Sequence, residues 1–247
     1  MRLVGKTLLE FPSLDSTNEY CRKIAGSQEM TEGTVVWTTS QLKGRGQGKN
    51  TWESEDGQNL TFSVFLRPVF MEPAEQFFLS MVASLGIADW LKGHIKSVSI
   101  KWPNDIYAGN RKIAGILIEN SVIENRINHS IIGIGVNINQ TRFGDHLPNP
   151  VSLKQITSRS YSLKDALDQI CSRIEFWYLG LKRGHRQEIK NHYTSQLLRL
   201  NEKHTCRAGG KTYQACIRGV DNFGRLALED EKGIVRHFGL KEVEFLK

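Results

Sequence analysis

Apolar and polar positions along the chain fall into short periodic segments separated by turn residues. Lys6 to Phe11 reads as a strand, and Thr34 to Thr39 (TVVWTT) as a β-branched one. Between them, Ser16 with Glu19 three positions later is a capping-box pattern, opening a helix whose first turn holds Thr17, Asn18 and Glu19. Over 58–66, Leu60, Phe62, Val64 and Leu66 alternate with Thr61, Ser63 and Phe65, which predicts a strand with one buried face. Phe77, Phe78, Met81, Val82, Leu85 and Leu91 recur at helical spacing, predicting a helix over 75–92 with its aromatics in the core. The apolar runs Val98 to Trp102 and Ile113 to Ile118 flank Pro103, Asn104, Asp105, Gly109 and Asn110 and read together as a hairpin. In 130–139, Ile132, Ile134, Val136 and Ile138 share one strand face; Gly133, Gly135, Asn137 and Asn139 share the other.

An amphipathic helix follows over 162–179, capped by Ser162 with Asp165 behind it, and a more polar helix over 184–199. Near Leu200 the period changes to short strands with turns at Gly209-Gly210, Asp221-Asn222, Gly224 and 231–233. This places a domain boundary between 1–199 and 200–247, the second unit being small enough to lean on its neighbour.

Composition narrows the class. With 39% hydrophobic and 24% charged residues, the 247-residue chain is a globular protein and not a disordered one. It shows neither a secretory pattern at its start nor an apolar run of spanning length, so a cytoplasmic protein without membrane attachment is expected. Cys21, Cys171, Cys206 and Cys216 form no CxxC pair, which argues against a zinc knuckle and for free thiols. A net charge of +7 suits a polyanionic partner, whether nucleotide phosphates, an acidic carrier or nucleic acid, but it is spread along the chain.

Candidate chemistry gathers in three stretches. Lys101, Asn104, Asp105, Arg111 and Lys112 crowd the mouth of two strands that read as buried, where polar groups are costly unless paired. In 41–52, Gly44, Gly46 and Gly48 interleave with Lys43, Arg45 and Lys49, a backbone able to approach phosphate. It is neither a Walker A loop, since Lys43 and Asn50 stand where glycine and serine or threonine belong, nor GxGxxG. A plain flexible loop is the alternative. The glycine face of 130–139 leaves room for a flat ring or for a closely packed element. Ser16 serves as a helix cap or as a ligand contact beside free N–H groups, and the two roles are compatible.

These stretches carry a resemblance. KWPND at 101–105 with RKIAGILIE at 111–119 resembles the signature of biotin protein ligases, which attach biotin to carrier domains of carboxylases. DSTN at 15–18, SQLKGRGQGKNTW at 40–52 and GIGVNIN at 133–139 follow in the family's order and approximate spacing. The resemblance is to the short type without an N-terminal DNA-binding domain. It implies an α+β fold: a mixed β-sheet catalytic domain packed with helices, class II synthetase-like and shared with lipoate ligases, plus a small C-terminal SH3-like β-barrel.

The resemblance also implies roles. Ser16, Thr17, Asn18 and Gln41 would contact biotin, with Arg45, Gly46, Gln47 and Lys112. Arg45, Lys49, Trp52, Asn104, Lys112 and Asn137 would contact ATP or the adenylate, and Lys112, Arg45 and Asp105 would carry catalysis, Asp105 near the acceptor lysine. Many members have arginine where this chain has Gln47, which shifts phosphate neutralisation toward Arg45 or Lys49. The ending GLKEVEFLK also departs from the family's common glycine-glutamate pattern. The implied reaction joins biotin to AMP from ATP and passes it to one lysine of a biotin carboxyl carrier protein. Mg²⁺ is bound mainly through the ATP phosphates, without a protein metal site. The protein is expected as monomer or homodimer, with no DNA partner. A lipoate or octanoate ligase or transferase shares the fold and is the alternative; a non-catalytic nucleic-acid-binding module is the alternative of another class.

Overall fold

A computed structural model of the chain describes residues 2–48 and 50–246. The strands are β1 (Leu8–Phe11), β2 (Val35–Thr38), β3 (Leu60–Leu66), β4 (Val98–Lys101), β5 (Asp105–Ala108), β6 (Arg111–Ile123) and β7 (Arg126–Val136). They form one seven-stranded sheet in the order β1-β2-β3-β7-β6-β5-β4. The β1–β2 pair is parallel; the other pairs are antiparallel.

One face of this sheet carries the main core. Leu60, Phe62, Val64, Ile132, Ile134 and Val136 pack there with α2 (Phe77–Lys92) and α4 (Leu163–Lys182). Trp90 Nε1 donates to Gln169 Oε1 at 3.0 Å and Trp177 Nε1 to Asp89 Oδ2 at 2.8 Å, so the two helices are joined by side-chain bonds as well as by packing. The other face carries a smaller core of Cys21, Met30, Val36, Phe65 and Ile131 under α1 (Thr17–Ile24). Strand β3 is therefore buried on both faces, not on one as its alternation predicts. Thr61 and Ser63 read as a solvent face because they are polar, but they lie beneath the α1 side. The chain between β7 and α4 contains a short helix, α3 (Leu153–Thr157), capped by Ser152.

The region read as one hairpin is a three-strand meander. The segment between the apolar runs is itself a strand, β5, which pairs with both β4 and β6. Strand β6 also runs on to Ile123 and turns at Glu124 and Asn125, both with positive φ, into β7. Alternation is obscured there by the polar run ENSVIENRINH.

Helix α5 (Arg186–Ser195) follows, and Arg186 Nε meets Glu75 Oε1 at 2.6 Å beside the 3₁₀ turn Pro73–Glu75. The guanidinium holds the Glu75 carboxyl below the usual carboxylate range. A depressed carboxylate contributes stability that is present above its unfolded value, about pH 4.3, and lost as pH falls through the lower folded one. Glu75→Gln is thus expected to lower the melting temperature at pH 7, with the gap to the parent protein closing below about pH 4; a gap independent of pH would contradict the ion-pair origin.

The strands β8 (Lys203–Ala208), β9 (Lys211–Val220), β10 (Leu226–Asp230), β11 (Val235–Phe238) and β12 (Val243–Phe245) form a separate antiparallel sheet, ordered β11-β10-β9-β8-β12. Its turns fall at the predicted positions. Trp102 Nε1 donates to the Gly224 carbonyl at 2.8 Å, tying the β4–β5 turn to the β9–β10 turn. Cys21, Cys171 and Cys206 are buried free thiols and Cys216 is half-buried. Burial pushes the Cys21 and Cys171 thiols up to about 12, which keeps them inert. Among the described residues no helix is long and apolar enough to cross a membrane.

Candidate functional site

A cleft of about 110 Å³ opens on the α1 side of the large sheet. Its floor follows from register: Gly115 of β6 is paired with Gly135 of β7 and with Asp105 of β5, and Gly133 with Leu117. A side chain at Gly133 would overlap the Asn18 amide, and one at Gly135 would overlap the Trp52 indole. The two readings of the glycine face meet here, because a closely packed aromatic ring rests on it.

The rims are built from four elements. The chain before α1 pairs with the chain after β2: Leu14 N–H donates to Ser40 O at 3.0 Å and Lys43 N–H to Asp15 O at 2.8 Å. This brings Gln41 beside the first turn of α1, where its Oε1 accepts from the Thr17 N–H at 3.0 Å and the Thr17 hydroxyl at 3.3 Å. Ser16 is the N-cap, accepting from Glu19 N–H at 3.5 Å, and also lines the cleft, so its two roles coincide. Residues 44–48 and 50–52 fold back on each other as the arms of a small hairpin, with an Arg45–Thr51 bridge and a Trp52 N–H to Gly44 O bond of 3.0 Å. That hairpin carries Arg45 and lays Trp52 over Gly115 and Gly135. Trp52 Nε1 is buried with no acceptor among the described residues.

Lys112 reaches the cleft through an irregularity. It lies three positions from Gly115 and would point to the opposite sheet face in a regular strand. A register shift between β5 and β6 sets Lys112 opposite Tyr107, restoring it to the face of Asp105 and Gly115. Lys112 Nζ then lies 2.7 Å from Asp105 Oδ1 and 5.9 Å from the centre of the Trp52 ring. At the far rim, Arg45 Nη1 lies 3.1 Å from Glu119 Oε1. Among the described residues, both cations of the cleft are therefore held by carboxylates.

Ser16, Thr17, Asn18, Gln41, Arg45, Gly46, Gln47, Trp52, Asn104, Asp105 and Lys112 all line this one cleft. Asn104 is also a strut, its Nδ2 donating to Ile116 O at 2.6 Å. Asn137 does not line the cleft: β7 ends at Val136, and the buried Asn137 amide donates to Val151 O at 3.2 Å. Lys49 lies outside the described residues. Sequence reasoning missed Ser63 and Glu119. The Ser63 hydroxyl lies 2.7 Å from Thr17 Oγ1 and 2.6 Å from Asn18 Oδ1. Asn18 Nδ2 donates to Glu119 Oε2 at 2.9 Å. For Ser63 the available signal was a polar residue between apolar ones in a strand, and for Glu119 a carboxylate directly after the apolar run 113–118. Among the described residues no group of three or more His, Cys, Asp or Glu side chains is placed to hold a metal ion.

A mixed sheet with a polar, cation-rimmed cleft over a glycine floor defines a domain that binds a small anionic ligand. The biotin/lipoate A/B protein ligase family description matches residues 10–137. The biotin--[acetyl-CoA-carboxylase] ligase of Paracoccus denitrificans is 30% identical over 226 residues, covering 89% of this chain and 92% of that one. The bifunctional ligase/repressor BirA of Bacillus subtilis is 29% identical over 237 residues, covering 94% and 72%. The biotin protein ligase of Aquifex aeolicus, solved in complex with biotin and ATP, matches at a TM-score of 0.82 and 26% identity, covering 98% and 99%. The chain belongs to the biotin/lipoate A/B protein ligase family, among the biotin protein ligases.

Proposed function

We propose that the chain activates biotin with ATP to biotinyl-5'-AMP and transfers the biotinyl group to one lysine of a biotin carboxyl carrier protein. The observation that carries this is the pair of fixed cations, Arg45 and Lys112, on opposite rims of one glycine-floored cleft. In the first step a biotin carboxylate oxygen attacks the α-phosphorus of ATP, and the bond to the bridging oxygen breaks as pyrophosphate leaves. Two anions must approach each other, so cations have to stand at the meeting point. Lys112 and Arg45 serve there, Lys112 on the carboxylate and phosphate and Arg45 on the biotin carboxylate and the activated phosphate. Mg²⁺ carried on the nucleotide phosphates would supply further neutralisation. Lys49 belongs to the same reading as an additional cation.

The cation pairs support an exchange of partners. When Lys112 takes the ligand carboxylate, Asp105 loses its counter-ion, and its carboxylate is free to orient the acceptor amine and receive a proton. The neutral amine then attacks the acyl carbon, and AMP leaves with the bonding electrons. At about 110 Å³ the cleft is smaller than the usual 300 to 1,000 Å³ of ligand sites, so its wall must open to admit one. Ser16, Thr17, Asn18 and Gln41 would hold the biotin ring end and Asn104 the nucleotide end. Asn137 would act by positioning the strand end.

A neighbouring cavity of about 310 Å³ shares Gln47, Asn104, Ile116 and Leu117 with the cleft and runs to Phe223, Arg225 and Leu240. We take this as the side from which the carrier domain approaches. Residues 200–247 are read as the family's SH3-like domain, and the acceptor is protein and not DNA. The test is to mix the protein with ATP, Mg²⁺, biotin and a carrier domain. A biotinyl mass increase on one carrier lysine, absent without ATP, is expected; an unmodified carrier would overturn the proposal.

A further inference from the structure

Glu119 belongs to none of the roles above. It stands on the cleft-facing row of β6 with Gly115 and Leu117, directly after the apolar run IAGILI, where a half-buried carboxylate is costly unless it is paired. Its two oxygens are both engaged: Oε1 by Arg45 of the hairpin at 3.1 Å, Oε2 by the Asn18 amide at 2.9 Å. Asn18 is buried and fixed in turn by Ser63 and by the Leu117 carbonyl. Glu119 thus joins the rigid first turn of α1 to the loop that covers the cleft.

We propose that Glu119 is a positioning residue that tempers affinity for the anionic ligand: a built-in anion that holds Arg45 and competes with the ligand's own anion for it. The assignment rests on the proposed function. An incoming carboxylate or phosphate must take the guanidinium from Glu119, and an uncharged ligand gives Arg45 no reason to leave. After transfer, Glu119 recovers Arg45, which favours departure of the anionic product. Side-chain exposures of 44% for Arg45 and 26% for Glu119 put the pair between surface and interior, strong enough to hold the loop and weak enough to exchange.

The test compares biotin with its uncharged amide. Glu119→Gln retains an oxygen for Asn18 but removes the charge that competes for Arg45. Biotin is expected to bind about fivefold more tightly to this variant, the scale of a half-exposed ion pair, with the amide unchanged. The same substitution made on Arg45→Ala is expected to leave the biotin-to-amide ratio where Arg45→Ala alone puts it. Equal shifts for both ligands, or no shift for either, would make Glu119 a structural residue only and overturn the assignment while the proposed function stands. A parent protein that binds neither ligand would overturn both.

Discussion

Lys112→Ala is expected to slow biotinyl-adenylate formation on the order of 100- to 1,000-fold, the loss typical of removing one preorganised electrostatic group. No other described cation of the cleft can replace it, because Arg45 stands on the opposite rim and pairs with Glu119. The fold should survive. Lys112 Nζ is near the surface, its ion pair is with Asp105 alone, and the backbone bonds of residue 112 to Asn149 and Val151 do not depend on the side chain. Truncation leaves Asp105 without its cation, a cost of about 1 kcal/mol for a partly exposed pair. Single-turnover formation of the adenylate, measured beside a thermal melt, separates the two effects. Adenylate made at the parent rate would remove Lys112 from the mechanism.

Gly133→Ala is expected to abolish productive biotin binding by acting through Asn18. The added methyl would occupy the place of the Asn18 amide, which cannot retreat because Ser63, Leu117 and Glu119 hold it. Strand β7 cannot retreat either, since it is paired along both edges. Overpacking of this kind costs about 1–3 kcal/mol, and a displacement near 1 Å in a positioning group costs on the order of 100-fold in kcat/KM. The double variant Asn18→Ala with Gly133→Ala removes the clash and should recover most of the melting temperature without recovering kcat/KM. Non-additivity of that sign is the mark of two groups in contact. Full activity in Gly133→Ala alone would show that the floor is not where the ligand end lies.

Much of this arrangement was legible along the chain because it is local. The Ser16 cap, the alternation of 130–136 and the turns after residue 200 depend on neighbours within a few positions, and they appear where the pattern puts them. What escaped depends on pairing between distant segments. The two-sided burial of β3 requires α1 to lie over Ser63 and Phe65, which no alternation can reveal. The orientation of Lys112 comes from a register shift against β5, a strand hidden in what reads as a turn. Asn137 shares parity with Gly133 and Gly135, but the strand ends one residue before it and its amide is turned to Val151. The role of Glu119 is not legible locally because the partner that pairs with it, Arg45, is 74 residues away.

The most direct measurement of the central claim is exchange of labelled pyrophosphate into ATP, which reports the reversal of adenylate formation and needs no carrier. With Mg²⁺ present, exchange is expected only when biotin is added, with no exchange from lipoate or octanoate and almost none in Lys112→Ala. Exchange driven by lipoate or octanoate in place of biotin, or no exchange with any of the three acids, would contradict the account.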